Sequence, residues 1–237
     1  MNIYLNSDYD FLIPYKVPMI RIGNLGDGGY VVPLVALNAT GLVSIGMGDN
    51  WSFEEHWLAS KSQSIIHSYD GTIVPEQFEG ELKNSYNNLF KNKVRHFREN
   101  VTPSNIDIVL ERGGEKVFLK LDCEGAEYGL ITGVCKSKSL IGMVIEFHNL
   151  DFEEQLIQFK RAVNAICDNY KVVHVHANNY SALNIDSLPQ TLEISFLRKE
   201  LCESNEQRYE AYLQDLDTPN ALTSEEYFLY FVSKETE

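Results

Sequence analysis

From residue 41 to about residue 200, short apolar runs of strand length alternate with longer amphipathic stretches. Few folds accommodate that rhythm. A run apolar on both faces must be covered on both, and the stretches between are long enough to cross over as helices. This is the pattern of a mostly parallel sheet with helices on both sides. The runs are Gly41–Ile45, Ser64–Tyr69, Lys93–Phe97, Val117–Leu121, Ile141–Phe147, Lys171–Ala177 and Thr191–Leu197. Helices are expected from about Ser52, over Pro75–Phe90, Ser104–Arg112, Glu127–Lys136 and Asp151–Asp168. Pro75 suits a first helical turn, Ser104 an N-cap, and Gly113-Gly114 a stop. The last helix carries an apolar stripe of Leu156, Phe159, Val163 and Ile166. Only the link from Asn178 to Gln190 offers no helix, so the final strand is expected to run antiparallel.

The 237 residues, 44% hydrophobic and 23% charged, suffice to bury a core, which excludes a disordered or fibrous chain. No repeat or Ser/Gly linker divides them. One domain over 1–237 is expected, with an N-terminal elaboration (1–40), a core (41–200) and a C-terminal extension (201–237). A net charge of −14 argues against nucleic acid as a partner. The four cysteines, Cys123, Cys135, Cys167 and Cys202, form no CxxC pair and read as reduced thiols of a cytoplasmic protein. No signal peptide is evident, and no apolar run approaches the roughly 20 residues that cross a bilayer, so no membrane partner is expected. The run Tyr227–Val232 is compatible with a final strand, a lid or the contact of a homo-oligomer.

Ligands of open α/β sheets bind at the carboxyl ends of the strands. The first such turn reads Ser44-Ile45-Gly46-Met47-Gly48-Asp49-Asn50-Trp51. Gly46 and Gly48 let backbone approach a ligand closely. Trp51 stands where a dinucleotide fold needs a third glycine against the pyrophosphate, which argues against a dinucleotide-dependent oxidoreductase. A GxG turn without that glycine suits S-adenosylmethionine. Asp70, at the end of the second strand, could accept from both ribose hydroxyls. Asp27-Gly28-Gly29-Tyr30 is either a turn opening an edge hairpin or a wrap around the methionine end of that cofactor. Arg98-Glu99-Asn100 ends the third strand, where an adenine would lie.

Three later strand ends are dense in acid, imidazole and amide groups: Lys120-Leu121-Asp122-Cys123-Glu124, Glu146-Phe147-His148-Asn149 and His174-Val175-His176-Ala177-Asn178-Asn179. With a period of two, Asp122 and Glu124 share a face, as do Glu146 and His148, and His174 and His176. Buried carboxylates need hydrogen bonds, partners or a metal. Glu127 reads as such a group or as a first-turn residue facing the helix dipole.

The ordered set of Arg21-Ile22-Gly23, Asp27-Gly28-Gly29-Tyr30, SIGMGDNWSFE, YDGT, LKLDCEGAE, IEFH and HVHANN resembles FkbM-type S-adenosylmethionine-dependent methyltransferases over residues 20 to 180. The chain departs from the pattern at Asn50 and Cys123. The resemblance implies a class I methyltransferase fold, a seven-stranded Rossmann-like sheet with an antiparallel last strand, and O-methylation of a sugar or polyketide hydroxyl. A small-molecule acceptor, a sugar or nucleotide sugar, is implied with it. Carried over by position, Gly46, Gly48 and Asp70 are cofactor-binding residues, and Asp122, Glu124, His148 and His176 are polar site residues. Such a transfer needs a proton acceptor, for which His148 stands first and Asp122 or His176 next. Alternatively, Asp122, Glu124 and a histidine hold a divalent Mg or Mn ion. The rivals are a metal-dependent hydrolase built on the same acids and imidazoles, and a binding module without chemistry.

Overall fold

The computed structural model describes residues 1–90, 94–184, 186–202, 208, 211–212 and 215–232. In chain order the strands are β1 (Asn2–Leu5), β2 (Met19–Ile22), β3 (Tyr30–Pro33), β4 (Gly41–Ile45), β5 (Ile65–Tyr69) and β6 (Arg95–Phe97). They continue as β7 (Val117–Leu121), β8 (Leu140–Phe147), β9 (Tyr170–Ala177), β10 (Leu192–Arg198), β11 (Ala211–Tyr212) and β12 (Phe228–Phe231). The helices are α1 (Ser52–Ser60), α2 (Gly80–Phe90), α3 (Ile106–Arg112), α4 (Glu127–Lys136) and α5 (Glu153–Cys167).

The central sheet has seven strands in the order β6-β5-β4-β7-β8-β10-β9. All its pairs are parallel except those of β10, which runs antiparallel to both β8 and β9. This is the Rossmann-like class I methyltransferase arrangement that the resemblance implied. Alternation also assigns the faces. Val43, Ile45, Leu119 and Leu121 turn into the core beneath α3, α4 and α5. Leu42, Phe118 and Val144 turn to the other face, against Trp51, Phe53 and Trp57 of α1 and its start and against Ile22, Tyr30 and Val32 of the β2–β3 hairpin. On α5, Phe159, Ala162, Val163 and Ile166 are buried, and Leu156 partly so.

Local departures have local causes. The stretch expected as one helix over Pro75–Phe90 is a short 3-10 turn, Pro75–Gln77, and then α2. Gly80 at φ +56° breaks it. The third helix starts at Ile106, because the Asn105 side chain turns back to accept from the Thr102 N–H (2.7 Å). The expected strand start at Lys93 lies outside the described residues. Tyr227–Val232 contains a strand, β12, which pairs in parallel with β1. The four cysteines are unpaired, and no described helix is long and apolar enough to cross a membrane.

Candidate active site

The carboxyl ends of β4, β5, β6 and β7 open onto one cavity of about 440 Å³. That volume lies in the ordinary range for small-molecule sites. Its wall runs from Asp70, Glu99 and Asn100 past Gly46 and Gly48 to Asp27, Asp122 and Glu124.

The two glycines of the first turn do different jobs. A Cβ on Gly46 (φ +76°) would lie 1.5 Å from the Asp122 carbonyl oxygen, so this glycine lets the chains leaving β4 and β7 approach closely. The close approach there is to the protein's own backbone. Gly48 (φ +54°) has open space where a Cβ would stand, and it faces the cavity. Asp70 stands below the turn. Its Oδ2 accepts from the N–H groups of Met47 (3.2 Å) and Gly48 (3.1 Å), and its Oδ1 from the Thr72 N–H and hydroxyl. Burial pushes the Asp70 pKa up, but these hydrogen bonds outweigh it and hold the carboxyl below its ordinary range. Trp51 is buried against Phe78, Tyr86 and Phe90 and donates from its indole N–H to Ser85 (2.8 Å).

Asp27-Gly28-Gly29 closes the β2–β3 hairpin and lies over the start of α1. The Asn50 amide donates to the Asp27 carbonyl (3.0 Å) and the Ser52 hydroxyl to that of Gly28 (3.4 Å). Gly29 leaves no room for a Cβ, which would meet the Asn24 carbonyl at 1.9 Å. Tyr30, at the start of β3, is buried and does not line the cavity. Its hydroxyl lies 2.9 Å from Asp122 Oδ2 and 2.8 Å from Glu146 Oε2. Burial, then the charges of Asp122 and Glu193, raise the Glu146 pKa to about 8, while the charge of His148 and the hydrogen bond from Tyr30 pull the other way.

Strand register explains the density of charge. Beyond the pair Leu121–Ile145, Asp122 comes level with Glu146; Glu146 pairs with Glu193, and Glu193 with His176. A single row therefore crosses β7, β8, β10 and β9. The antiparallel β10 separates His176 from the cluster it was expected to join, so the three strand ends are not adjacent. His176 Nδ1 meets Glu193 Oε2 at 3.1 Å, and His174 Nε2 meets Asp217 Oδ1 at 2.8 Å. Burial lowers the His176 pKa, yet the charge and hydrogen bond of Glu193, the nearby Glu226 carboxyl and the charge of Asp217 raise it further, to about 10.

Asp122 and Glu124 do not share a face, because β7 stops at Leu121 and Glu124 takes a left-handed φ of +54°. Its side chain stands 88% exposed at the mouth. His148 brings the groups together. Its Nε2 faces Asp122 Oδ1 (3.8 Å), Glu124 Oε2 (3.6 Å) and Glu146 Oε1 (3.7 Å). Behind it, Glu127, fully buried in the first turn of α4, accepts from the Gly125 N–H and the His148 N–H, both at 2.8 Å. Burial alone would depress the imidazole; the hydrogen bond to Glu127 and the charges of Glu146, Glu127 and Asp122 raise it to about 9. Lys120, buried, donates to the Gly46 carbonyl and lies 3.3 Å from Asp122 Oδ2. Burial works against its charge, and Asp122, Glu54 and Glu146 more than restore it.

Asp122, Glu146 and His148 can each turn one ligand atom to a common point, all within 4.8 Å of one another. The mixed carboxylate and imidazole set suits Mg, Mn or Zn. Sequence reasoning had Glu124 in Glu146's place. It also passed over Glu193, which joins Glu146 to His176 across β10. A glutamate inside the apolar alternation of TLEISFL was the signal for it.

Residues 22–181 match the model of the methyltransferase FkbM domain. No curated protein matches the chain. Among solved structures it is similar to fibrillarin in a fibrillarin/Nop5p complex (10% identity, 66% of this chain and 71% of that one, TM-score 0.43). It is also similar to the Methanococcus jannaschii fibrillarin pre-rRNA processing protein (7%, 69% and 68%, TM-score 0.42). A third is a StiE O-MT (11%, 71% of each chain, TM-score 0.42).

Proposed function

The chain belongs to the methyltransferase FkbM domain family, and from that premise we propose that it methylates a hydroxyl oxygen of a small sugar-type acceptor, such as a nucleotide-linked sugar. The observation that supports this is the continuity of one cavity from Asp70 and the glycine turn to Asp122 and Glu124. The donor belongs at one end of it and the acceptor at the other. In this reading the chain acts as one methyltransferase domain in the cytoplasm.

The residues present fit S-adenosylmethionine. Gly48 leaves open the space a side chain would fill, and Asp27, Asp70 and Asp122 line the cavity with carboxylates, which suits a cationic ligand. Bound there, the cofactor supplies a methyl group on a sulfonium, already activated for in-line displacement. Asp70 would take the ribose hydroxyls, exchanging some of its hydrogen bonds to the turn. Asp27, with the backbone of Gly28 and Gly29, would hold the methionine end. Tyr30 acts from behind, orienting Asp122 through its hydroxyl.

The protein's remaining tasks are alignment and removal of one proton. His148 accepts the acceptor's proton at Nε2, with Glu127 fixing the ring at Nδ1. Asp122 and Glu124 steady the cation that results. His176, separated by β10, has no part in the proton transfer and braces the row. A second scheme rests on the convergence of Asp122, Glu146 and His148. Those three would hold a divalent cation, whose charge would favour loss of the hydroxyl proton.

Two measurements test the reading. S-adenosylhomocysteine at 100 times its Kd should stabilise the fold by about 2.7 kcal/mol. Incubation with labelled cofactor and a panel of sugars and sugar nucleotides should give a methyl gain by mass spectrometry. A chain that shows no thermal shift has no cofactor site there, and the hydrolase and non-catalytic readings regain ground. Loss of turnover in chelator, restored by Mg or Mn, would select the metal scheme over the unaided base.

A further inference from the structure

The motif Arg21-Ile22-Gly23 has no part in the schemes above, yet Arg21 stands at the centre of the loop that carries Asp27. Residues 23–29 join β2 to β3, and the Arg21 side chain, from β2, turns into that loop. Its Nε donates to the Asn24 carbonyl (2.8 Å) and one terminal nitrogen to the Gly26 carbonyl (2.9 Å). The other terminal nitrogen donates to the Leu216 carbonyl (3.4 Å), from the C-terminal extension. A Cβ on Gly29 would stand 2.8 Å from the guanidinium, so the loop closes tightly around it.

The loop needs such a template. Gly26 (φ +105°) and Gly28 (φ +79°) take left-handed backbone, and glycine loses the most freedom on being ordered. The start of α1 holds one flank: the Gly23 N–H donates to His56 Nδ1 and the Asn24 N–H to the Ser52 hydroxyl, both at 3.2 Å. From the far end of the chain, Thr218 Oγ1 accepts from the Gly26 N–H (3.1 Å). Gly26 is therefore tied at its carbonyl to Arg21 and at its N–H to Thr218. The next two residues, Asp27 and Gly28, are the part of the loop that lines the cavity. Arg21 itself does not line it. Three carbonyls around one planar fork are matched to a guanidinium; a lysine ammonium is a point charge without that fork.

Resting on the methyltransferase reading above, we propose that Arg21 is a positioning residue of the cofactor site. Its guanidinium, with Thr218, joins residues 23–29 and the Leu216–Thr218 segment into one wall, so that Asp27 and Gly28 meet the amino-acid portion of the cofactor. The C-terminal extension thereby takes part in cofactor binding without touching the ligand.

The test compares two ligands by calorimetry. S-adenosylhomocysteine carries the amino-acid portion; 5′-methylthioadenosine has the same nucleoside and lacks it. Arg21→Lys keeps the charge and loses the fork, and Thr218→Val keeps the shape and loses the acceptor. Arg21→Lys should weaken S-adenosylhomocysteine about tenfold and Thr218→Val about threefold. Both should bind methylthioadenosine like wild type, which also reports that they are folded. Should Arg21→Lys fail to fold, Thr218→Val, which removes a single bond to the loop, decides. Equal losses for both ligands, or either folded variant binding S-adenosylhomocysteine like wild type, would overturn the inference. So would a wild-type protein that binds the two ligands equally well. Wild-type protein that binds neither ligand removes the methyltransferase reading itself, and the inference with it.

Discussion

At the scale of single residues, His148 concentrates the chemistry and its difficulty. An imidazole near pH 7 is a good proton acceptor only when neutral, and this one is ringed by Asp122, Glu124, Glu127 and Glu146. Those charges keep it protonated up to about pH 9. If His148 is the base, kcat/KM should climb about tenfold per pH unit below that value and level off above it. Glu127→Gln keeps an accepting oxygen but removes the negative charge that helps raise the imidazole, so the rise should move to lower pH. His148→Gln should cost roughly 10² to 10⁴ in rate and abolish the rise. A profile flat from pH 6 to 9 would transfer the role to Asp122. The residue identities were readable in the sequence. The proton affinity was not, because Glu127 reaches the imidazole from α4 and Asp122 from the end of β7.

At the scale of elements, the close approach of the chains leaving β4 and β7 and the insertion of β10 decide the shape of the site. Both glycines of the first turn look alike in sequence, and both take positive φ. Their substitution should differ sharply. Gly46→Ala drives a methyl into the Asp122 carbonyl, so the strand ends cannot close; expression of folded protein should collapse. Gly48→Ala meets no neighbour and costs about 1 kcal/mol of backbone strain, visible as a modest fall in Tm, while its methyl enters the cavity and weakens S-adenosylhomocysteine. Similar losses of stability in the two variants would contradict this division. The insertion of β10 puts Glu193 between Glu146 and His176. Strand order is a long-range property, so the sequence could announce an antiparallel strand without saying which neighbours it parts.

For the whole molecule, the buried row makes stability depend on pH in a definite direction. His176 is held near a pKa of about 10 and Glu146 near about 8 in the folded chain, against ordinary values of about 6.5 and 4.3 unfolded. In both cases the folded state keeps protons that the unfolded state releases, so stability falls as pH rises. The His176 contribution is complete below about pH 6.5 and fades as pH climbs through about 10. The Tm should therefore decline steadily from pH 7 to 10, and His176→Gln should flatten the decline. A Tm that rises over that interval would refute the assignment of charge. The same row ties the C-terminal segment to the sheet, through Glu226 and Asn220 as well as Asp217.

The sequence by itself determined the alternation of strands and helices, the two-faced core, the glycine turn with Asp70, and the identities of the acids and imidazoles at the strand ends. All of these come from periodicity and local backbone chemistry, which need only near neighbours in the chain. Tertiary structure alone decided that Glu146 completes the convergent group in place of Glu124, that His176 stands apart from it, and that the segment around Leu216 and Thr218 meets the hairpin loop. Those outcomes depend on where β7 stops, which strands β10 separates, and what the last described residues cover. Each is a contact between segments far apart in the chain, set by packing and by the pairing of buried charge.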